Sequence, residues 1–310
     1  MNFSLKTKTE IMKREFTSRE SKISALSGFL RTSGSVESRN NVIGFSLQGE
    51  VAVLKYIAQI IKSVYGVTPE ITSENDSGKR ATIEMVSKLS TKILQDCKII
   101  SLSKNEISVQ LTISDELFCD DESKCAYIVG AFLGSGTVTV PKVDNPKSTS
   151  YHLQIVFSQY VTATEFCELF GSIGFMPKLI ERKDCFVVYL KNAEAVNDAL
   201  TYFGATNSSL DLTDIIMRKE LRNRLNRNIN CEMSNMNKAI NSAVSDRETI
   251  KTIEDTIGLD SLKPELKAVA VKRCEDETKS LAVIADELNI TKSCLTHRLR
   301  KIRRIALDLS

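Results

Sequence analysis

The chain has no tryptophan, only two histidines (His152 and His297) and, among eight cysteines, no CxxC pair. A zinc site draws on about four clustered nitrogen and sulfur ligands, and no such cluster is visible. The cysteines read as reduced structural thiols, and neither a metal nor a cofactor is expected. No uninterrupted apolar run approaches the ~18–20 residues that cross a bilayer. The first residues, MNFSLKTKTEIMKREFTSRE, are charged and carry no apolar signal core. A cytosolic protein is expected. What is present is an ordinary soluble composition over 310 residues, 42% apolar and 26% charged, enough for a core and for two or three domains.

The small net charge, +3, is unevenly placed. Residues 1–210 carry 23 Lys and Arg against 23 Asp and Glu, whereas 211–310 carry 19 against 16. Within the latter, 291–304 holds Lys292, Arg298, Arg300, Lys301, Arg303 and Arg304 and no acid. A local basic patch on a balanced chain suggests a phosphate-binding surface; the other reading is a solvated helix end.

Only thirteen glycines occur, and some of them recur in a pattern. GFLRTSGSV at 28–36 returns as GAFLGSGTV at 130–138 after a shift of 102 residues, Gly28 on Gly130 and Gly34 on Gly136. Downstream, YGVTPEI (65–71) resembles IGFMPKL (173–179), and ATIEMVS (81–87) takes the place of CFVVYLK (185–191). The duplicated unit reads as helix, strand, strand, helix, strand, strand, with repeats at about 20–90 and 122–205. The motif helices fall near 20–32 and 122–134, the second started by the acids of DDES. NVIGFSL (41–47) and YHLQIVF (151–157) read as strands, and Gly66 and Gly174 stop the second helix of each copy. The expected fold is α+β, with pseudo-twofold symmetry. Ser24, Gly28 and Thr32 lie at i, i+4 and i+8, as do Ala126, Gly130 and Gly134. Such faces let two backbones approach closely. Packing of each helix on its own sheet is the alternative.

IVGAFLGSG (128–136) and LSGFLRTSG (26–34) resemble the LAGLIDADG motif of homing endonucleases. The resemblance implies two motif helices packed at the centre of two αββαββ units, with an acid at the eighth motif position holding a divalent metal. Here that position is Ser33 in one copy and Ser135 in the other. Mg²⁺ prefers hard anionic oxygens and two-metal phosphodiester cleavage needs carboxylates, so no catalytic residue is assigned and no nuclease activity is expected. The acids at 115, 116 and 120–122 precede the second motif helix and read as loop and capping residues.

Residues 211–256 contain neither proline nor glycine. Leu221, Leu225, Ile229, Met233, Met236, Ile240 and Ala243 form a helical stripe. The remainder is rich in asparagine and includes Arg222, Arg224 and Arg227. Those arginines suit phosphate contacts; a hydrogen-bonded seam against the first domain is the equal alternative.

Residues 257–310 predict three helices, with Pro264 in the first turn of one, Ser280 capping LAVIADEL and Thr291 capping the last. Leu295, Leu299 and Ile302 form the buried stripe of a helix-turn-helix. Lys292, Ser293, Thr296, His297 and Arg300 then face outward, where base edges are read. Arg298, Lys301, Arg303 and Arg304 suit phosphates. Asn289 stands where a turn glycine is common, and Arg298 where an apolar residue is. A packing module without DNA is the alternative. A fragment 257–310 is expected to bind duplex DNA.

The order of parts, with RNRLNRNINCEMSNMNKAINSA (222–243) and SCLTHRLRKIRRIA (293–306), resembles the WhiA family of bacteria. That resemblance implies a non-enzymatic DNA-binding regulator linked to sporulation, cell division and chromosome segregation. It divides the chain into a degenerate LAGLIDADG-like domain (1–210), an Arg/Asn-rich linker helix (211–256) and a helix-turn-helix domain (257–310). The implied partner is double-stranded DNA on the nucleoid, with a protein partner on the first domain as a further reading and no membrane.

Overall fold

The computed structural model describes residues 2–39, 42–73, 79–103, 106–141, 150–275 and 279–309. Two units, residues 1–219 and 220–310, are separable by their internal contacts. In the first, α1 (Phe3–Ile11) precedes the run α2 (Arg19–Ser33), β1 (Gly34–Arg39), β2 (Val42–Glu50), α3 (Val51–Tyr65), β3 (Ile71–Ser73) and β4 (Arg80–Val86). After α4 (Lys88–Asp96) and the hairpin β5 (Ile100–Ser103) with β6 (Glu106–Val109), the same run returns as α5 (Asp121–Ser135), β7 (Thr137–Thr139), β8 (His152–Phe157), α6 (Tyr160–Ser172), β9 (Lys178–Arg182) and β10 (Cys185–Leu190). α7 (Ala193–Tyr202) closes the unit before α8 (Thr206–Ile257) begins.

The duplication is real at the level of topology. One antiparallel sheet has the order β1-β2-β4-β3 and the other β7-β8-β10-β9, so each strand sits where its copy sits. Val36 pairs with Phe45 in the first sheet and Val138, its copy, with Leu153 in the second. Along β8, Leu153, Ile155 and Phe157 point inward and alternate with half-exposed residues, the period-two pattern of a strand with one covered face. α3 ends at Gly66, with φ 76°, and Gly174, with φ 96°, follows α6. Only glycine takes that left-handed conformation without steric cost.

α2 and α5 pack directly on each other. A Cβ on Gly28 would lie 2.1 Å from the Tyr127 carbonyl oxygen, and one on Gly130 1.9 Å from that of Ala25. Those separations leave no room for any side chain, which settles the paired-helix reading over packing on separate sheets. Gly134 meets Thr32 Oγ1 in the same way, at 2.1 Å. Ser24, read as a spacer, instead donates to the Leu117 carbonyl at 2.7 Å. Asp120 caps α5, its Oδ1 accepting from Ser123 N at 2.7 Å, as the DDES stretch predicts. Around the pair, Tyr127, Phe132, Phe157, Phe166, Phe170 and Phe203 are almost fully buried and in contact as rings. Each large apolar side chain so buried contributes about 1.5–3 kcal/mol.

The second unit consists of the end of α8, α9 (Pro264–Glu275), α10 (Leu281–Glu287) and α11 (Lys292–Leu309). Its core joins Ile250 and Ile253 of α8 to Val269 and Ala270 of α9, Ile284 and Ala285 of α10, and Leu295, Leu299 and Ile302 of α11. A fragment starting at 257 therefore lacks Ile250 and Ile253 of its own core, and an intact second unit has to begin before Asp246.

Candidate nucleic-acid interface

The two serines at the eighth motif position are both engaged by backbone. Ser33 Oγ donates to the Gln48 carbonyl at 2.9 Å. Ser135 Oγ donates to the Val156 carbonyl at 2.7 Å and accepts from Val156 N at 2.9 Å. Both hydroxyls thus tie a motif helix to a neighbouring strand. They line a polar cavity of about 390 Å³ with Gln48, Glu50, Arg80 and Lys8. Lys8, on α1, is only 7% exposed. Burial pushes its ammonium pKa down; the charge of Glu50 opposes that shift and Arg80 adds to it. Two cations and two engaged hydroxyls around one carboxylate are the wrong donor set for a hard divalent ion. A metal does not fit here.

In the second unit the turn between α10 and α11 has the geometry of a helix-turn-helix. Ser280 Oγ accepts from Val283 N, capping α10. Thr291 Oγ1 accepts from Cys294 N at 3.2 Å, capping α11. Asn289, where glycine is common, has φ 52°. Asparagine tolerates the left-handed region better than other residues with a Cβ, which removes this departure from the pattern. Ile290 N then closes the turn on the Ala285 carbonyl at 2.9 Å.

α11 buries Leu295, Leu299, Ile302 and Ala306, packs Ile305 and Leu309 partly against the same core, and exposes its opposite face. Ser293, Thr296, His297, Arg300 and Arg304 fall at i, i+3, i+4, i+7 and i+11, on one exposed face. Lys292 and Lys301 are also exposed. Among the described residues, Lys292, Arg300, Lys301 and Arg304 have no ion-pair partner. Thr296 Oγ1 is spent on the Lys292 carbonyl, at 2.8 Å. Two of the arginines read as phosphate contacts also have acidic partners within the unit. Arg298 is half-buried with Nη2 3.7 Å from Glu265 Oε2, which explains how an arginine occupies a position expected to be apolar. Arg303 reaches Asp246 Oδ1, with Nε at 2.8 Å and Nη2 at 2.6 Å, and also Ser242. Asp246 is buried on α8 and also accepts from the buried Arg273, at 3.2 Å. This acid joins three helices. Its partners lie 27 and 57 residues away, so no local pattern in the sequence points to it.

Along α8, every side chain from Leu221 to Asn241 is exposed. Arg222, Arg224 and Arg227 stand in water there, and so do the large apolar residues of the stripe.

Comparison with known proteins bears on the same regions. The profile described as the WhiA LAGLIDADG-like domain matches residues 124–222, and that described as the WhiA C-terminal HTH domain matches 225–306. A Clostridium tetani protein called probable cell division protein WhiA is 33% identical over 319 residues, covering 100% of this chain and 98% of its own. The chain belongs to the WhiA family. A Thermoanaerobacter member with the same description is also 33% identical, covering 100% of this chain and 98% of its own. The crystal structure of full-length DUF199/WhiA from Thermatoga maritima shares the fold, with a TM-score of 0.59 at 22% identity over 100% of this chain and 99% of that one. In this WhiA-family chain the LAGLIDADG-like domain pairs its two motif helices, and Ser33, Ser135 and Lys8 line one cavity beside them.

Proposed function

We propose that this WhiA-family chain is a non-enzymatic, nucleoid-associated DNA-binding protein acting in bacterial cell division and chromosome segregation, as a transcription regulator or as a chromosome-bound factor. The observation that carries the reading is the exposed face of α11, which holds no acid from Lys292 to Arg304, with Arg300 and Arg304 lacking an ion-pair partner among the described residues beside Ser293, Thr296 and His297. The start of a recognition helix meets base edges, and the basic residues further along meet phosphates. Lys292 and Lys301 flank that face, and Arg224 and Arg227 extend the basic surface on α8. Arg298 and Arg303 belong to the frame, through Glu265 and Asp246. Substituting Arg300 and Arg304 by Ala lowers duplex affinity and reduces the salt slope by about 1 for each phosphate no longer neutralised; titrating the full chain against duplex DNA at several salt concentrations measures both. Unchanged affinity removes α11 as the interface.

A protein partner on the first unit is a second reading, favoured by the zero net charge of 1–210. Co-purification that depends on residues 1–219 and survives DNase treatment supports it.

A further inference from the structure

The cavity beside the motif helices, about 390 Å³, carries charge of both signs on its wall. Lys8 reaches it from α1, an element outside the duplication. It is only 7% exposed, and no described residue gives it a hydrogen bond or an ion pair. Glu50 and Arg80 are cross-strand partners on β2 and β4. They too form no ion pair among the described residues, and Glu50 Oε2 is buried without a hydrogen-bond partner. Burial acts most strongly on the Lys8 ammonium, and the charges of Glu50 and Arg80 act on it as well, so the three groups meet at one place. We infer that this cavity binds a free α-amino acid with a polar side chain, its carboxylate on Lys8 and Arg80 and its ammonium on Glu50.

The two signs select the class of ligand. A buried charge is costly unless it is paired and hydrogen-bonded. An inorganic anion satisfies Lys8 and Arg80 but sits against Glu50. A cation satisfies Glu50 but sits against two like charges. A zwitterion meets all three, through hydrogen bonds in which donor and acceptor are both ionised, the stronger kind. The competing arrangement is closure of Lys8 on Glu50. Arg80 would then remain alone, and the cavity would take a simple carboxylate as readily as an amino acid.

The rest of the wall bears on the side chain. Gln48 lies two residues before Glu50 on β2 and shares its face. Its amide both donates and accepts. Thr137, at the start of β7, adds a hydroxyl from the second repeat. Leu133 is the one large apolar residue among the described lining. The volume falls within the ~300–1,000 Å³ of small-molecule sites. An occupant held by α1, the first repeat and the start of β7 ties together three parts of one unit, and stabilises that unit as its concentration rises.

Calorimetric titration of the full chain with each L-amino acid in turn, without DNA, tests the site. At least one with a polar side chain should bind one to one and raise the melting temperature of the first unit. For the tightest, the corresponding amine without the carboxylate and the corresponding acid without the ammonium should each bind roughly tenfold or more weakly. Glu50→Gln should weaken the amino acid by a similar factor and leave the deaminated acid no weaker. Lys8→Met should weaken the amino acid and leave the decarboxylated amine no weaker. Both replacements keep the length of the side chain, and melting without ligand checks their folding. The inference is overturned by no saturable binding up to about 10 mM, by a preference for apolar side chains, by an amine or acid as tight as its parent, or by unchanged affinity in either variant. The comparison of parent, amine and acid on the unmodified chain decides the matter even where a variant fails to fold.

Discussion

Gly130 has no space for a methyl group, because the Ala25 carbonyl oxygen stands 1.9 Å from where its Cβ would be. Both sides of that contact are backbone, and neither can rotate away. Gly130→Ala is expected to destabilise the first unit by about 3 kcal/mol or more, at the upper end for overpacked cores, as measured by thermal or urea unfolding. Gly171, also on a helix but with open space around it, tolerates the same change and serves as the control. Glu10 offers a pH-dependent counterpart. Burial pushes its carboxyl pKa up, but hydrogen bonds from Asn207 and Ser208 at the start of α8 outweigh this and hold it below the ordinary value. A depressed carboxylate stabilises the fold above its unfolded pKa, and that contribution is lost as pH falls through the folded pKa. Glu10→Gln should lower the melting temperature near neutrality and flatten its decline between about pH 5 and pH 3. An unchanged acid limb would remove Glu10 as a capping carboxylate.

At the scale of elements, much of the architecture could be read from the chain because glycine is scarce and its recurrence is informative. The motif helices, the paired strands and the stops at Gly66 and Gly174 all follow from spacing. α1 does not: FSLKTKTEI has alternating lysines and little apolar contrast, so it reads as a charged tail. Its place in the structure comes from contacts remote in sequence, such as Ser4 Oγ donating to the Val138 carbonyl at 2.8 Å. The helix-turn-helix was legible from its caps and buried stripe, whereas the roles of Arg298 and Arg303 depend on Glu265 and Asp246, far along the chain. Asp246→Ala should cost about 3–5 kcal/mol of the second unit's stability, since it strands the buried Arg273. Arg303→Ala should also lower that stability, and any loss of DNA affinity should track the unfolded fraction. A selective loss of affinity in a fully folded variant would return Arg303 to the interface.

At the scale of the whole molecule, a LAGLIDADG-like unit whose motif helices end in Ser33 and Ser135 precedes a helix-turn-helix unit. Restoring acids by Ser33→Asp and Ser135→Asp is expected to give no plasmid cleavage with Mg²⁺ or Mn²⁺, because Lys8 and Arg80 remain in the same cavity. Cleavage that appears with metal and vanishes with chelator would show that the serines alone silence the site.

α8 carries 52 residues in one helix, yet from 221 to 241 all of its side chains are exposed. An unsupported helix of some twenty residues is marginal in water, the more so when asparagine is frequent. Its amide protons should then exchange with deuterium far sooner than those near Ile250 and Ile253 at the same helix's end, which share the core of the second unit.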